Sequence, residues 1–239
     1  MVLSVLLLAL FLGLIVAPLV SILGDMFTVQ IGDEARTQLQ ADALTGHYLE
    51  RVFASRVSHL LFWRPLGNTL LISVAATVIA ITLGTALGWL VARSDLPGRR
   101  WFGTALIVPY MLPAWTFALA WTTLFKNRTI GGQPGWLENL GFSPPDWLAY
   151  GQFPTTVILA LHYTPFVILL FGSALRRFDS QLEDSARILG ASGRVVAWQV
   201  ILPLMRPALM SAVVLIFAKC LGEFGVPYVL GLPVKFDVL

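Results

Sequence analysis

The sequence predicts an all-α, polytopic membrane protein, and three observations carry that prediction. Hydrophobic residues are 57% of the 239 and charged residues only 12%, against roughly 25% charged in soluble domains. Apolar runs of about 20 residues, the length a helix needs to cross a bilayer, recur along the chain. The cations gather in short connectors between those runs, as the positive-inside rule describes. A net charge of +3 is therefore explained by topology, and a nucleic-acid partner is not expected. The single cysteine, Cys220, sits in an apolar run, which excludes an internal disulfide, a CxxC pair and a thiolate metal cage.

Residues 1–23 are an uninterrupted apolar run, read as the first transmembrane helix. A signal peptide is the competing reading, but its apolar core would be about 7–15 residues and would follow a basic residue. Residues 24–66 turn mixed polar, with Asp25, Asp33, Glu34, Asp42 and Glu50 among Arg36, Arg51, Arg56 and Arg64. This is expected to be an outer, periplasmic segment, with Tyr48, Phe53, Phe62 and Trp63 as interfacial anchors.

Residues 67–239 form the expected core domain, with four further spans. In the second span, 68–91, Gly84 and Gly88 make a small-xxx-small pair that lets another helix approach closely. The connector ARSDLPGRR places Arg93, Arg99 and Arg100 around a Pro-Gly turn and marks the inner side. The third span, 101–125, contains Pro109 and Pro113, each of which removes a backbone hydrogen bond, so a kink or local unwinding is expected there. Carbonyls freed at that depth must face protein or a watery cavity, which makes both prolines pathway candidates.

The 126–153 connector returns outside. The fourth span, 154–175, carries His162, Tyr163, Thr164 and Pro165. His162 is expected to bond a carbonyl freed by proline rather than to serve a proton relay, and is kept as a pathway candidate. Lys219 and Glu223, at i and i+4 near the end of the fifth span (204–221), are expected to form an ion pair and complete the pathway set. The ending, EFGVPYVLGLPVKFDVL, reads as a re-entrant or surface segment on the outer side.

Between the fourth and fifth spans lies a polar island, 180–209, within an inner loop 176–206. Ser180 and Glu183 fit a capping box that starts a helix. Leu182, Ala186 and Leu189 follow as a narrow apolar stripe facing away from Glu183, Asp184 and Arg187. Gly190 ends this helix. Ser192 caps a second short helix through Trp198 and Val200, which Pro203 stops.

This island resembles the EAA loop of the permease subunits of bacterial binding-protein-dependent ABC importers: Glu-Ala-Ala, three residues, Gly, nine residues, Ile-x-Leu-Pro. Gly190 aligns the first three positions with Asp184, Ser185 and Ala186, and the ending with Val200, Ile201, Leu202 and Pro203. Asp for Glu, Ser for Ala and Val for Ile are conservative departures, and Glu183 could take the acidic role after a small helix rotation. The ending, the long outer segment and the ARSDLPGRR loop are most similar to the N-terminal half of the two-halved permeases of ferric-iron importers.

The resemblance implies a type I importer permease bundle in the bacterial inner membrane. Five spans are visible, and a fragment lacking a sixth span and a second permease half is expected. It also implies a cytoplasmic ABC ATPase dimer as partner, bound through Glu183, Asp184, Ser185, Ala186, Gly190, Val200, Leu202 and Pro203, and a periplasmic solute-binding protein outside. ATP and magnesium would be held by that ATPase, since no phosphate loop occurs in this sequence and no cofactor is expected in the chain. The chain is thus expected to be a transport subunit without catalysis of its own. Ferric iron is the cargo the resemblance favours; thiamine, polyamines and phosphonates are carried by similar permeases. Outside the family, an ion-gradient-driven transporter or channel is the main alternative. An intramembrane enzyme using His162 or the Lys219 and Glu223 pair would lack a further acid, base or nucleophile.

Overall fold

The structure is a computed structural model. It describes residues 2–95, 97–178 and 180–239, with the side chains of Val2, Arg100 and Ser180 left aside. The described residues are helical apart from connectors and one isolated bridge between Thr28 and Leu44. They divide into two compact units, 1–64 and 65–239.

The first unit opens with α1 (Leu3–Asp25), strongly apolar, with none of its span buried. A widened π turn over Leu12–Val16 precedes Pro18. Such a turn accommodates a residue that cannot donate a backbone hydrogen bond. Beyond α1, Val29 is buried and exchanges backbone hydrogen bonds with Asp42 and Ala43. Tyr48 donates to Asp33 at 3.0 Å and accepts from the Gln30 amide. Phe53, Phe62 and Trp63 do cluster, edge to face at 4.8 and 5.1 Å for the Phe62 pairs.

The second unit is built around α5 (Gln152–Arg176), whose Leu159, Val167, Phe171 and Leu175 are fully buried. On one side lies α2 (Arg64–Arg93). A Cβ on Gly84 would overlap the Val167 side chain and stand 3.0 Å from the Thr164 carbonyl oxygen, and one on Gly88 would be 3.2 Å from Phe171. The two glycines therefore set how closely these spans approach, as their spacing predicted.

The third expected span is broken where its prolines predicted a kink or local unwinding. α3 (Trp101–Met111) and α4 (Ala114–Phe125) meet at 92°. Leu112 is extended, the conformation that a following proline imposes, and Pro113 starts α4 without needing an amide. Short helical turns then lead back to α5, held by Asn127 donating to Asp146 at 2.7 Å and the Trp121 indole donating to the Leu148 carbonyl.

After the inner loop, α8 (Arg206–Leu221) buries Ala212, Ile216 and Cys220 against α5. Of the two readings of the final segment, re-entrant or surface, the surface one fails: α9 (Gly225–Gly231) buries Val226 and Leu230 against α4 and α5. Its end is fastened by Asn68 donating to the Asp237 carbonyl and by the Leu239 amide donating to Thr69. Among the described residues, three helices are long and apolar enough to cross a membrane, or five if each bent pair counts as one span.

Candidate functional site: the inner loop and the polar groups of the spans

The inner loop forms two helices, α6 (Ser180–Ile188) and α7 (Gly193–Leu204). Gly190 lies between them at φ +87°, in the left-handed region that glycine enters without steric cost. The Ala191 amide donates to the Ala186 carbonyl and the Gly190 amide to that of Arg187. Those are the paired bonds of a Schellman ending, and they satisfy carbonyls the helix leaves open. Ser192 caps α7 by accepting from the Val195 amide.

Two expectations for this loop need correcting or setting aside. The Ser180 half of the capping box lies outside the described side chains, and the Glu183 carboxylate is engaged by two arginines instead. The apolar stripe is divided between core and solvent. Ala186 packs on the core, but Leu182 is half exposed and Leu189 is 88% exposed, while Glu183 turns inward. Pro203 does not stop α7. A π turn over Val196–Ile201 widens the helix just before the proline, which relieves the clash of its ring with the preceding carbonyl, and the chain bends by 60° only at Met205.

Glu183 is the electrostatic centre of the loop. One oxygen lies 2.6 Å from Arg93 at the inner end of α2, and the other 2.8 Å from Arg187 one turn along α6. The Arg93 guanidinium also stands 5.6 Å over the Phe178 ring. Burial alone would raise the Glu183 pKa, but the hydrogen bonds and charges of Arg187 and Arg93 outweigh it and hold the carboxyl below its ordinary value. Asp184, the position aligned with the motif's acid, is exposed and forms no ion pair among the described residues. Ser185 returns its hydroxyl to the Gln181 carbonyl. Val200 and Leu202 pack partly against the core beside buried Val196 and Ile201, and Pro203 is half-buried. Arg93 was legible only as a loop arginine, because its partner is 90 residues away in the chain.

Among the polar groups of the spans, the expected Lys219 and Glu223 ion pair does not form among the described residues. α8 ends at Leu221, so Glu223 is past the helical register that would bring it beneath Lys219. Its carboxylate accepts from the Tyr163 hydroxyl at 3.3 Å instead, and Lys219 stays exposed. His162 is buried among the rings of Tyr110, Phe117 and Tyr163. Its polar neighbour is the Pro109 backbone from the broken span rather than a carbonyl of its own helix, and its Nδ1 has no hydrogen-bond partner. Pro109 and His162 together border an apolar crevice of about 400 Å³, while Pro113 sits at the bend between α3 and α4. No group of three His, Cys, Asp or Glu side chains suited to a metal occurs among the described residues.

Broken and continuous spans around one buried helix, with a braced two-helix knob at the bundle's inner end, define a membrane transport component. The chain belongs to the family of binding-protein-dependent transport system inner membrane components, whose sequence profile matches residues 80–236. It is 30% identical over 157 residues to the probable sulfate transport system permease protein cysT of Chlorokybus atmophyticus, covering 66% of this chain and 53% of that protein. It is 29% identical over 157 residues to the sulfate transport system permease protein CysT of Escherichia coli, at 66% and 54% coverage. It is also 29% identical over 178 residues to the Fe(3+)-transport system permease protein FbpB 2 of Haemophilus influenzae, covering 74% of this chain and 30% of that one. The chain thus spans about half the length of the sulfate permeases it matches.

Proposed function

We propose that this chain is the transmembrane part of an ATP-driven importer that receives a small solute from a periplasmic binding protein and is coupled through α6 and α7 to a separate cytoplasmic ATPase dimer. A second permease half, in the same long chain or a separate subunit, would complete the pathway. The observation that carries the reading is the knob itself. Ile188 and Leu189 expose 86% and 88% of their surface where α6 ends, on a helix tied to the bundle through Glu183 and Ala186. Apolar side chains held outward by a braced helix suit insertion into a partner's groove. Closing and opening of the ATPase would move this knob, and the bends at Leu112 and Met205 are where the spans could change angle. Co-purification tests it: an ATPase should accompany the unaltered chain and be lost from Leu189→Glu. A transporter driven by an ion gradient would carry no ATPase in either case.

For the cargo, ferric iron is the reading favoured by the sequence resemblance, and one relative is a ferric permease by name. A second reading, an oxyanion such as sulfate, draws on two relatives' names and on Lys219, an exposed cation on an apolar helix with no ion pair among the described residues. Uptake of labelled sulfate against labelled ferric ion by the complete transporter separates the two, and Lys219→Gln should impair only oxyanion uptake.

A further inference from the structure

Arg99 and Arg176 stand at the inner ends of two different spans and border one cavity of about 370 Å³. The remaining wall is apolar: Val91 and Ala92 from the last turn of α2, Gly103 and Ile107 from α3, and Ile168 and Leu169 from α5. Both arginines are exposed, and neither forms an ion pair among the described residues, in contrast to Arg93 close by, which is neutralised by Glu183. Arg176 folds back along its helix, its Nη1 3.5 Å from where a Cβ on Gly172 would lie.

We propose that this cavity binds an anionic phospholipid of the inner leaflet, with Arg99 and Arg176 on the phosphate and the apolar wall against the acyl chains. Two unpaired guanidiniums supply charge and the forked donors that suit phosphate oxygens. A basic recess between spans at the cytoplasmic face is where an anionic headgroup meets protein. The apolar wall distinguishes a lipid from a free anion: a soluble phosphate would gain nothing from Val91, Ile107, Ile168 and Leu169, whereas a lipid removes them from water and fills the recess between α2, α3 and α5. The arginines come from the connector before α3 and the last turn of α5, so the lipid would bridge the broken span to the central one. This inference rests on the membrane placement of the chain and holds whatever the cargo.

The test is lipid retention by the purified full-length chain in detergent, read by native mass spectrometry during titration with phosphatidylglycerol or phosphatidylcholine. Phosphatidylglycerol should be retained preferentially, and the double variant Arg99→Gln/Arg176→Gln should weaken its apparent affinity by about thirtyfold, from two surface cations each acting on the headgroup. Arg177→Gln, which removes an equal charge one residue outside the cavity, should leave retention unchanged. Leu169→Trp should also reduce it by filling the apolar wall. Equal retention of both lipids, or unchanged phosphatidylglycerol binding in the double variant, overturns the proposal. So does displacement of the lipid by millimolar inorganic phosphate together with normal binding in Leu169→Trp, which would make the site one for free anions.

Discussion

Arg93 and Glu183, ninety residues apart, form a 2.6 Å ion pair that ties the inner end of α2 to α6. α6 also packs on the π turn of α7, and its Ala186 reaches the core. A push on the knob should therefore pass to α2 through the ion pair as well as through the chain. Arg93→Gln should lower solute moved per ATP hydrolysed by about tenfold, within the range of coupling free energies between sites. The partner ATPase should still co-purify. Measuring uptake and hydrolysis on the same vesicles checks this, and an unchanged ratio in Arg93→Gln would remove the pair from the transmission path.

The same pair gives the loop a pH dependence. Because the folded-state pKa of Glu183 is depressed, its contribution is fully present above the unfolded carboxylate value and is lost as pH falls through the lower folded value. α6 should stay docked through mildly acid conditions and loosen only below the ordinary carboxylate range. A spin label on a cysteine at position 189 should report unchanged mobility from neutral pH down to about 5 and a rise below about 4; in Glu183→Gln the mobility should be raised at every pH.

Gly84 and Gly88 should differ when replaced. Gly84→Ala drives a methyl into Val167 and toward the Thr164 carbonyl, so it should destabilise by about 1–3 kcal/mol, as overpacking does. Gly88→Ala meets the Phe171 ring edge at 3.2 Å and the Ile168 backbone at an ordinary 3.5 Å, and gains helix propensity, so its net effect should be small. Thermal unfolding in detergent would rank the two, and equal losses would show that the close approach is not centred on Gly84.

Gly190 has open space around its missing side chain, so bulk is not the obstacle there. Its φ of +87° is. Gly190→Val should cost about 1–2 kcal/mol from the left-handed conformation and fray the end of α6, with Gly190→Asn milder. Amide exchange at Gly190 and Ala191 measures this directly: protection of both amides in the valine variant equal to that of the unaltered chain would contradict it.

Much of the fold was legible because membrane spans and helix ends are local signals. Length and apolarity marked the continuous spans, Pro109 and Pro113 marked the break, and Gly190 and Ser192 marked where one loop helix stops and the next begins. Two errors come from reading helix-spaced pairs without their distant partners. Lys219 and Glu223 fit i and i+4 on paper, but α8 ends at Leu221 and Glu223 turns to Tyr163. Glu183 fits a capping box, but Arg93 and Arg187 engage its carboxylate instead.

The sequence by itself determined the class of protein, its broken third span and the position of the inner loop, because each follows from interactions between residues a few positions apart. Only the tertiary structure decided which acid braces the loop, where the last helix packs and which arginines form no ion pair among the described residues. Those outcomes depend on groups 60 to 170 residues apart, and pairing at such separations is set by how spans stack against α5 rather than by any pattern along the chain.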